Sequence, residues 1–251
     1  MSTRNPVFAR MANPVVSDQE LADMVNGTSA GLKLTIHDVI MKTTALFACV
    51  LVGAYAGWNV ALTNPSILVI SLVAALVLGL VNSFKRNVSP GLVIAYGLVE
   101  GLFIGSLSRF FESAYGPGLV RQAVLGTLIA FGSMLFAYQS GLIKVNGKFK
   151  KIFMVSMVSY LVIGVASLIA SFAGVGDGWG FYGVGGLGIV LCLLGVALAT
   201  FSLVMDFEFI SEGIASGVPE REAWRMAFGL VVSLVWLYTE LLRLLAIFSD
   251  D

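Results

Sequence analysis

Charge is scarce in this sequence: Asp, Glu, Lys and Arg together make up 12% of the residues, and histidine occurs once, as His37. So few charges cannot cover the surface of a soluble globule. One histidine, lying ahead of the apolar runs, removes the serine and histidine pair that a rhomboid-type protease needs in the membrane. The last apolar run holds no lysine, which excludes the Schiff base of a retinal protein. There is no P-loop string and no HExxH, and the ligand inventory is too sparse for a transition-metal enzyme. The two cysteines, Cys49 and Cys192, fall within apolar runs and read as small packing residues. Fifteen basic and fifteen acidic residues cancel, so no bulk charge points to nucleic acid. What remains is a chain with no expected enzymatic activity and no resident cofactor.

Apolar residues are abundant: they account for 58% of the chain, and the mean hydropathy is +0.92. They gather into seven runs, 43–62, 67–84, 90–110, 124–143, 152–173, 182–210 and 226–248, separated by turn signals such as Thr63-Asn64-Pro65-Ser66 and Ser216-Gly217-Val218-Pro219. Each is long enough for a bilayer-crossing helix, which requires ~20 residues. The runs are continuous, without the alternation of barrel strands, and in lipid only helices or closed barrels satisfy the backbone. The expectation is an all-α, polytopic membrane protein: a polar, cytoplasmic arm over 1–41 and a seven-helix transmembrane domain over 42–251. The arm lacks the order of a cleaved secretory signal, so the first apolar helix is expected to serve as its own insertion signal.

The basic residues set the orientation. With the N-terminus inside, Arg4, Arg10, Lys33, Lys42, Lys85, Arg86, Lys144, Lys148, Lys150, Lys151, Arg221 and Arg225 face the cytoplasm, against Arg109 and Arg121 outside. That asymmetry places the N-terminus in the cytoplasm and Ser249-Asp250-Asp251 outside.

Three carboxylates, Glu100, Asp206 and Glu240, lie within or at the rim of these runs, where a charge costs several kcal/mol without a partner or a wet cavity. Glu100 sits among Gly97, Gly101 and Gly105, whose four-residue spacing clears one helix face for a close neighbour. It reads either as a functional acid or as a structural one bonded to the next helix. Asp206 closes the sixth run toward its cytoplasmic end, and with Glu208 and Glu212 it also fits a solvated rim. Glu240 and Arg243 share a helix face at spacing i,i+3, where an ion pair lowers the burial cost, so that pair reads as sensor or as packing lock. Gly174-Val175-Gly176-Asp177 matches the GxGD string of intramembrane aspartyl proteases, but it lies in a glycine-rich outer loop and lacks a close second acid.

From Met41 to Phe248 the chain resembles the Bax inhibitor-1 family, in particular its bacterial members. The resemblance is carried by Lys42-Thr43-Thr44, by Glu100-Gly101-Leu102-Phe103-Ile104-Gly105, by Met205-Asp206 and by Leu241-Leu242-Arg243-Leu244-Leu245, in that order. It implies seven helices with one at the centre, and a pH-sensitive calcium leak in which two aspartates, one closing the sixth helix and one in the seventh, form a latch. The first aspartate corresponds to Asp206 and the acid of the Glu-Gly helix to Glu100. The place of the second is held by Ser233, and Glu240, about two turns further on, is the nearest acid on that helix. This departure marks an atypical subfamily.

The function expected on these grounds is a calcium leak in the inner (plasma) membrane, gated by protonation. Asp206, Glu240 and Arg243 form the sensor, and Glu100, Asp206 and Glu240 the ion path. Two interacting carboxylates in a low-dielectric site share protons and titrate as a pair. Calcium prefers six to eight oxygen ligands, so Asp206 and Glu100 suit a weak, transient calcium site. The rival is a non-transporting regulator that binds a membrane-protein partner, such as a membrane protease, through the arm. A proton-coupled transporter would call for inverted repeats, and the chain shows no internal duplication.

Overall fold

The computed structural model describes residues 33–249. Most of the polar arm and the last two residues, Asp250 and Asp251, lie outside the described residues, as do the partner-binding role expected of the arm and the placement of the C-terminus. Seven long helices follow one another: α1 (Ile36–Val60), α2 (Ile67–Phe84), α3 (Pro90–Tyr115), α4 (Leu119–Gln139), α5 (Gly147–Phe172), α6 (Gly185–Ser216) and α7 (Ala223–Ser249). Short 3-10 turns at Val175–Gly178 and Gly180–Gly183 link α5 to α6, and a third, Glu220–Glu222, leads into α7. Among the described residues the only strand-like pairing is a single bridge between Lys33 and Pro219. Seven helices are long and apolar enough to cross a membrane, the last counted from Glu220, and the protein is a multi-pass, all-α membrane protein.

The helix ends follow local chemistry. α1 starts at Ile36, earlier than the apolar run itself, because Thr35 and Asp38 form a capping box: the Asp38 amide donates to Thr35 Oγ1 at 3.3 Å, and the Thr35 amide to Asp38 Oδ2 at 3.0 Å. The last residues assigned by sequence to the arm, 36–41, are thus helical. Pro90 occupies the first turn of α3, where its missing N–H costs nothing. Glu112 near the end of α3 accepts from the Gly118 and Val120 amides at 2.7 and 3.0 Å, tying down the first turn of α4. α6 does not close at Asp206, as its sequence suggested. No helix breaker occurs before Gly217, whose φ of 65° ends it in the left-handed conformation. Asp206 therefore lies ten positions inside a 32-residue helix.

α7 is the axis of the bundle. It supplies residues to all four buried apolar clusters: Ala227, Phe228 and Val231 meet Leu46 and Val50 of α1 and Val93 and Tyr96 of α3, while Tyr238, Leu242 and Ala246 meet α3 and α4. Leu230 and Leu237 meet Ala199, Leu203 and Phe207 of α6, and Ala223 and Met226 meet Val39 and Ile210. α2 and α5 are peripheral and turn rows of Leu, Ile and Val outward, as lipid contact demands.

The tightest seam joins α1 to α3. The glycines at 97, 101 and 105 face Leu46, Val50, Gly53 and Ala54 of α1, and Gly53 and Gly57 in turn face the Leu98 and Leu102 carbonyls. Small residues on both helices let the backbones touch, which is how helices associate where lipid removes the hydrophobic drive.

Candidate functional site

The α1–α3 seam fixes the rotation of α3, and Glu100, one position before Gly101, is turned away from α1 into the bundle. There it is 8% exposed. It lines a cleft of about 570 Å³ together with Tyr96 and Phe103 of the same helix, Leu72, Ala75, Leu76 and Gly79 of α2, Phe228, Gly229, Val232 and Ser233 of α7, and Asp206 of α6. Two of the three acids singled out in the sequence are thus brought to one cavity from two helices. The Tyr96 hydroxyl sits beside the Glu100 carboxylate and the Ser233 hydroxyl beside Asp206. Gly229 of α7 faces Asp206, and a Cβ there would lie in ordinary contact, 3.4 Å, with Oδ1. Asp206 Oδ2 is shielded from solvent and has no hydrogen-bond partner. A buried carboxylate oxygen in that state is costly, and such atoms are rare in folded proteins.

Glu240 belongs elsewhere. It is 2% exposed, and its oxygens are filled by three donors: Tyr160 of α5 and Trp236 donate to Oε1 at 2.9 and 3.0 Å, and Arg243 donates to Oε2 at 3.2 Å. Tyr182, in the second 3-10 turn, donates to the Tyr160 hydroxyl at 2.8 Å, and the Arg243 guanidinium lies 4.4 Å over the Tyr182 ring. Gly195 of α6 provides the space, since a Cβ there would stand 2.6 Å from the Glu240 carboxylate. From Gly195 to Asp206 is about three turns of α6, roughly 16 Å along the axis. Buried Ala199, Leu203 and Leu237 fill that interval. An apolar layer therefore separates the Glu240 cluster from the cleft, and the three acids expected along one path form two distinct polar levels.

The acids beyond Asp206 are engaged in ion pairs and hydrogen bonds at the end of the bundle. Tyr138 donates to Glu208 at 2.9 Å, and Lys150 pairs with Glu212 at 2.5 Å. Lys42 pairs with Glu220 at 2.6 Å, and Arg225 pairs with Glu222 while donating to the Lys85 and Arg86 carbonyls. Asp206 lies inward of this layer. The GxGD segment falls in the 3-10 turns between α5 and α6. Among the described residues no group of three or more His, Cys, Asp or Glu forms a metal cluster, so the oxygen set at the cleft is two carboxylates and their hydroxyl neighbours.

A family model described as Bax inhibitor 1 like matches residues 5–250. The chain belongs to the Bax inhibitor 1 like family. No curated protein matches it. Ser233, the residue that the resemblance sets opposite the second aspartate, stands beside Asp206. Glu240 reaches α6 about three turns away, at Gly195.

Tyr96 and Trp236 were legible in principle, each standing four residues before the acid it accompanies and so on the same helix face. Tyr160 and Tyr182 were not, since nothing local in the sequence ties α5 or the outer turn to Glu240.

Proposed function

We propose that this Bax inhibitor 1 like protein is a pH-sensitive calcium leak whose sensing and ion-binding acids are Glu100 and Asp206. The observation that carries this reading is the unpartnered Asp206 Oδ2 in a cleft shared with Glu100. Two carboxylates and the hydroxyls beside them fall short of the six to eight oxygens calcium prefers, so the ion keeps water and binds briefly, as a leak requires. Calcium is cargo here, and the reading contains no chemical step. The apolar layer of Ala199, Leu203 and Leu237 is the closed barrier in this reading.

The sign with pH follows from charge. Calcium is attracted by carboxylates and not by carboxylic acids, so flux in proteoliposomes should rise as pH increases from about 5 to 8. Asp206→Asn is nearly isosteric and cannot titrate, and it should make flux low and nearly flat across that range. Glu100→Gln should lower flux at every pH and weaken the response. A well-folded Asp206→Asn protein that retains the parent's pH curve would remove Asp206 from the sensor, and a parent without flux at any pH would favour the non-transporting regulator.

The location proposed with this reading is the inner membrane, with the N-terminus cytoplasmic because the basic residues gather at the Lys85, Lys150 and Arg225 end. A reporter fused after Asp251 should be active outside the cytoplasm, and one inserted in the 144–151 loop should report the cytoplasm. Both reporters on the same side would overturn this orientation.

A further inference from the structure

The cleft that holds Glu100 and Asp206 opens sideways. α2 packs chiefly along α3, and Phe228, Gly229 and Val232 of α7 form the opposite wall of the cleft. Leu72, Leu76 and Leu80 belong both to the cleft and to the exposed surface of α2, at 42%, 58% and 50% exposure, so the mouth between α2 and α7 meets lipid. The walls are apolar, and the only ionisable groups among the lining residues are Glu100, Asp206 and the Tyr96 phenol. Neither lysine, arginine nor histidine lines it. The volume of about 570 Å³ lies within the range of small-molecule sites, about 300–1,000 Å³.

A hydrated metal ion matches the acids but not the mouth, and an acyl chain with a neutral or anionic head matches the mouth but not the acids. A molecule with both an apolar tail and a positive charge matches each part. We infer that the cleft is a binding site for an amphiphilic organic cation, of the long-chain alkylammonium class, that enters from the bilayer with its tail between α2 and α7 and its charged head against Asp206 and Glu100. The head supplies a countercharge to the Asp206 carboxylate, beside which the cleft lining offers no cation. The tail exchanges lipid contacts for protein contacts, so selectivity comes from the charge. The bound cation occupies the proposed calcium position, and this effect on flux rests on the calcium-leak reading; the binding itself does not.

The test uses the full chain in nanodiscs of zwitterionic lipid and the permanently charged probe dodecyltrimethylammonium. Dodecanol serves as the uncharged tail, and tetramethylammonium as the head alone. Saturable binding of one probe per chain is expected, with no saturable binding of either control. Binding should weaken about tenfold or more in Asp206→Asn, where the countercharge is gone. It should weaken similarly in Leu76→Trp, where bulk is added at an exposed position of the mouth and folding is undisturbed. Dodecanol binding as tightly as the cation, or affinity unchanged in Leu76→Trp, would overturn the site. Calcium flux separates the two claims: binding without any leak in the parent sinks the leak and leaves the site standing. A leak that the probe neither binds nor blocks sinks the site alone.

Discussion

Glu240→Gln should lower the stability of the bundle by about 3–5 kcal/mol, the usual cost of leaving one half of a buried ion pair without its partner. Glu240 holds Tyr160 and Trp236 on one oxygen and Arg243 on the other. Through Tyr160 and Tyr182 it fastens the peripheral α5 and the outer turn to the central helix. Glutamine keeps an oxygen for one or two donors, but the guanidinium loses its countercharge in a site where Arg243 is 29% exposed and stacked on Tyr182. Thermal melting in detergent reads the loss. The double variant Glu240→Gln with Arg243→Leu should regain much of it, because an apolar side chain needs no partner there. The same double variant decides between the two roles the sequence left open for Glu240. With all its donors in place and an apolar layer between it and the cleft, the clasp is favoured, so the double variant should keep a calcium flux that responds to pH. A stable double variant with flat flux would return the sensor to Glu240.

The fold was legible because lipid simplifies it. Long apolar runs leave the helix as the one local answer, and Thr63-Asn64-Pro65-Ser66 and Gly217 state where runs stop. What escaped was whatever depended on one helix meeting another. The interruption at Asp206 looked like a helix end because polar residues follow it, yet Glu208 and Glu212 meet Tyr138 and Lys150 in a polar layer at the end of the bundle while α6 itself runs on to Ser216. The Glu240–Arg243 pair could be read from spacing i,i+3 because both residues ride one helix. That Glu100 and Asp206 share a cavity while Glu240 does not is a matter of helix rotation, set by the contacts of α3 with α1 and of α6 with α7. The glycines at 97, 101 and 105 announced a close neighbour, but only the structure names it as α1, with Gly53 and Gly57 answering from the other side.

That seam gives the second large effect. Gly101→Val should cost about 3 kcal/mol or more, at or beyond the upper end of what overpacking costs in a core. A Cβ at 101 would collide with the Val50 carbonyl and come within 2.8 Å of the Gly53 Cα and 2.9 Å of the Ala54 amide. These are backbone atoms of α1, so no rotamer change relieves the collision and the two helices must separate. Separation is costly in a bilayer, where close packing carries the association that water would otherwise drive. The damage should also reach the cleft, because Glu100 is oriented by the same contact, and calcium flux should fall even in the fraction that folds. Gly132→Ala is the matched control. That glycine sits within α4 with open space where its Cβ would go, and the change should be neutral or stabilising by about 0.5–1 kcal/mol through helix propensity alone. Melting curves of the two variants should therefore move in opposite directions or differ by many degrees. If Gly101→Val melts with the parent, α1 and α3 do not meet through this face, and the orientation of Glu100 into the cleft loses its cause.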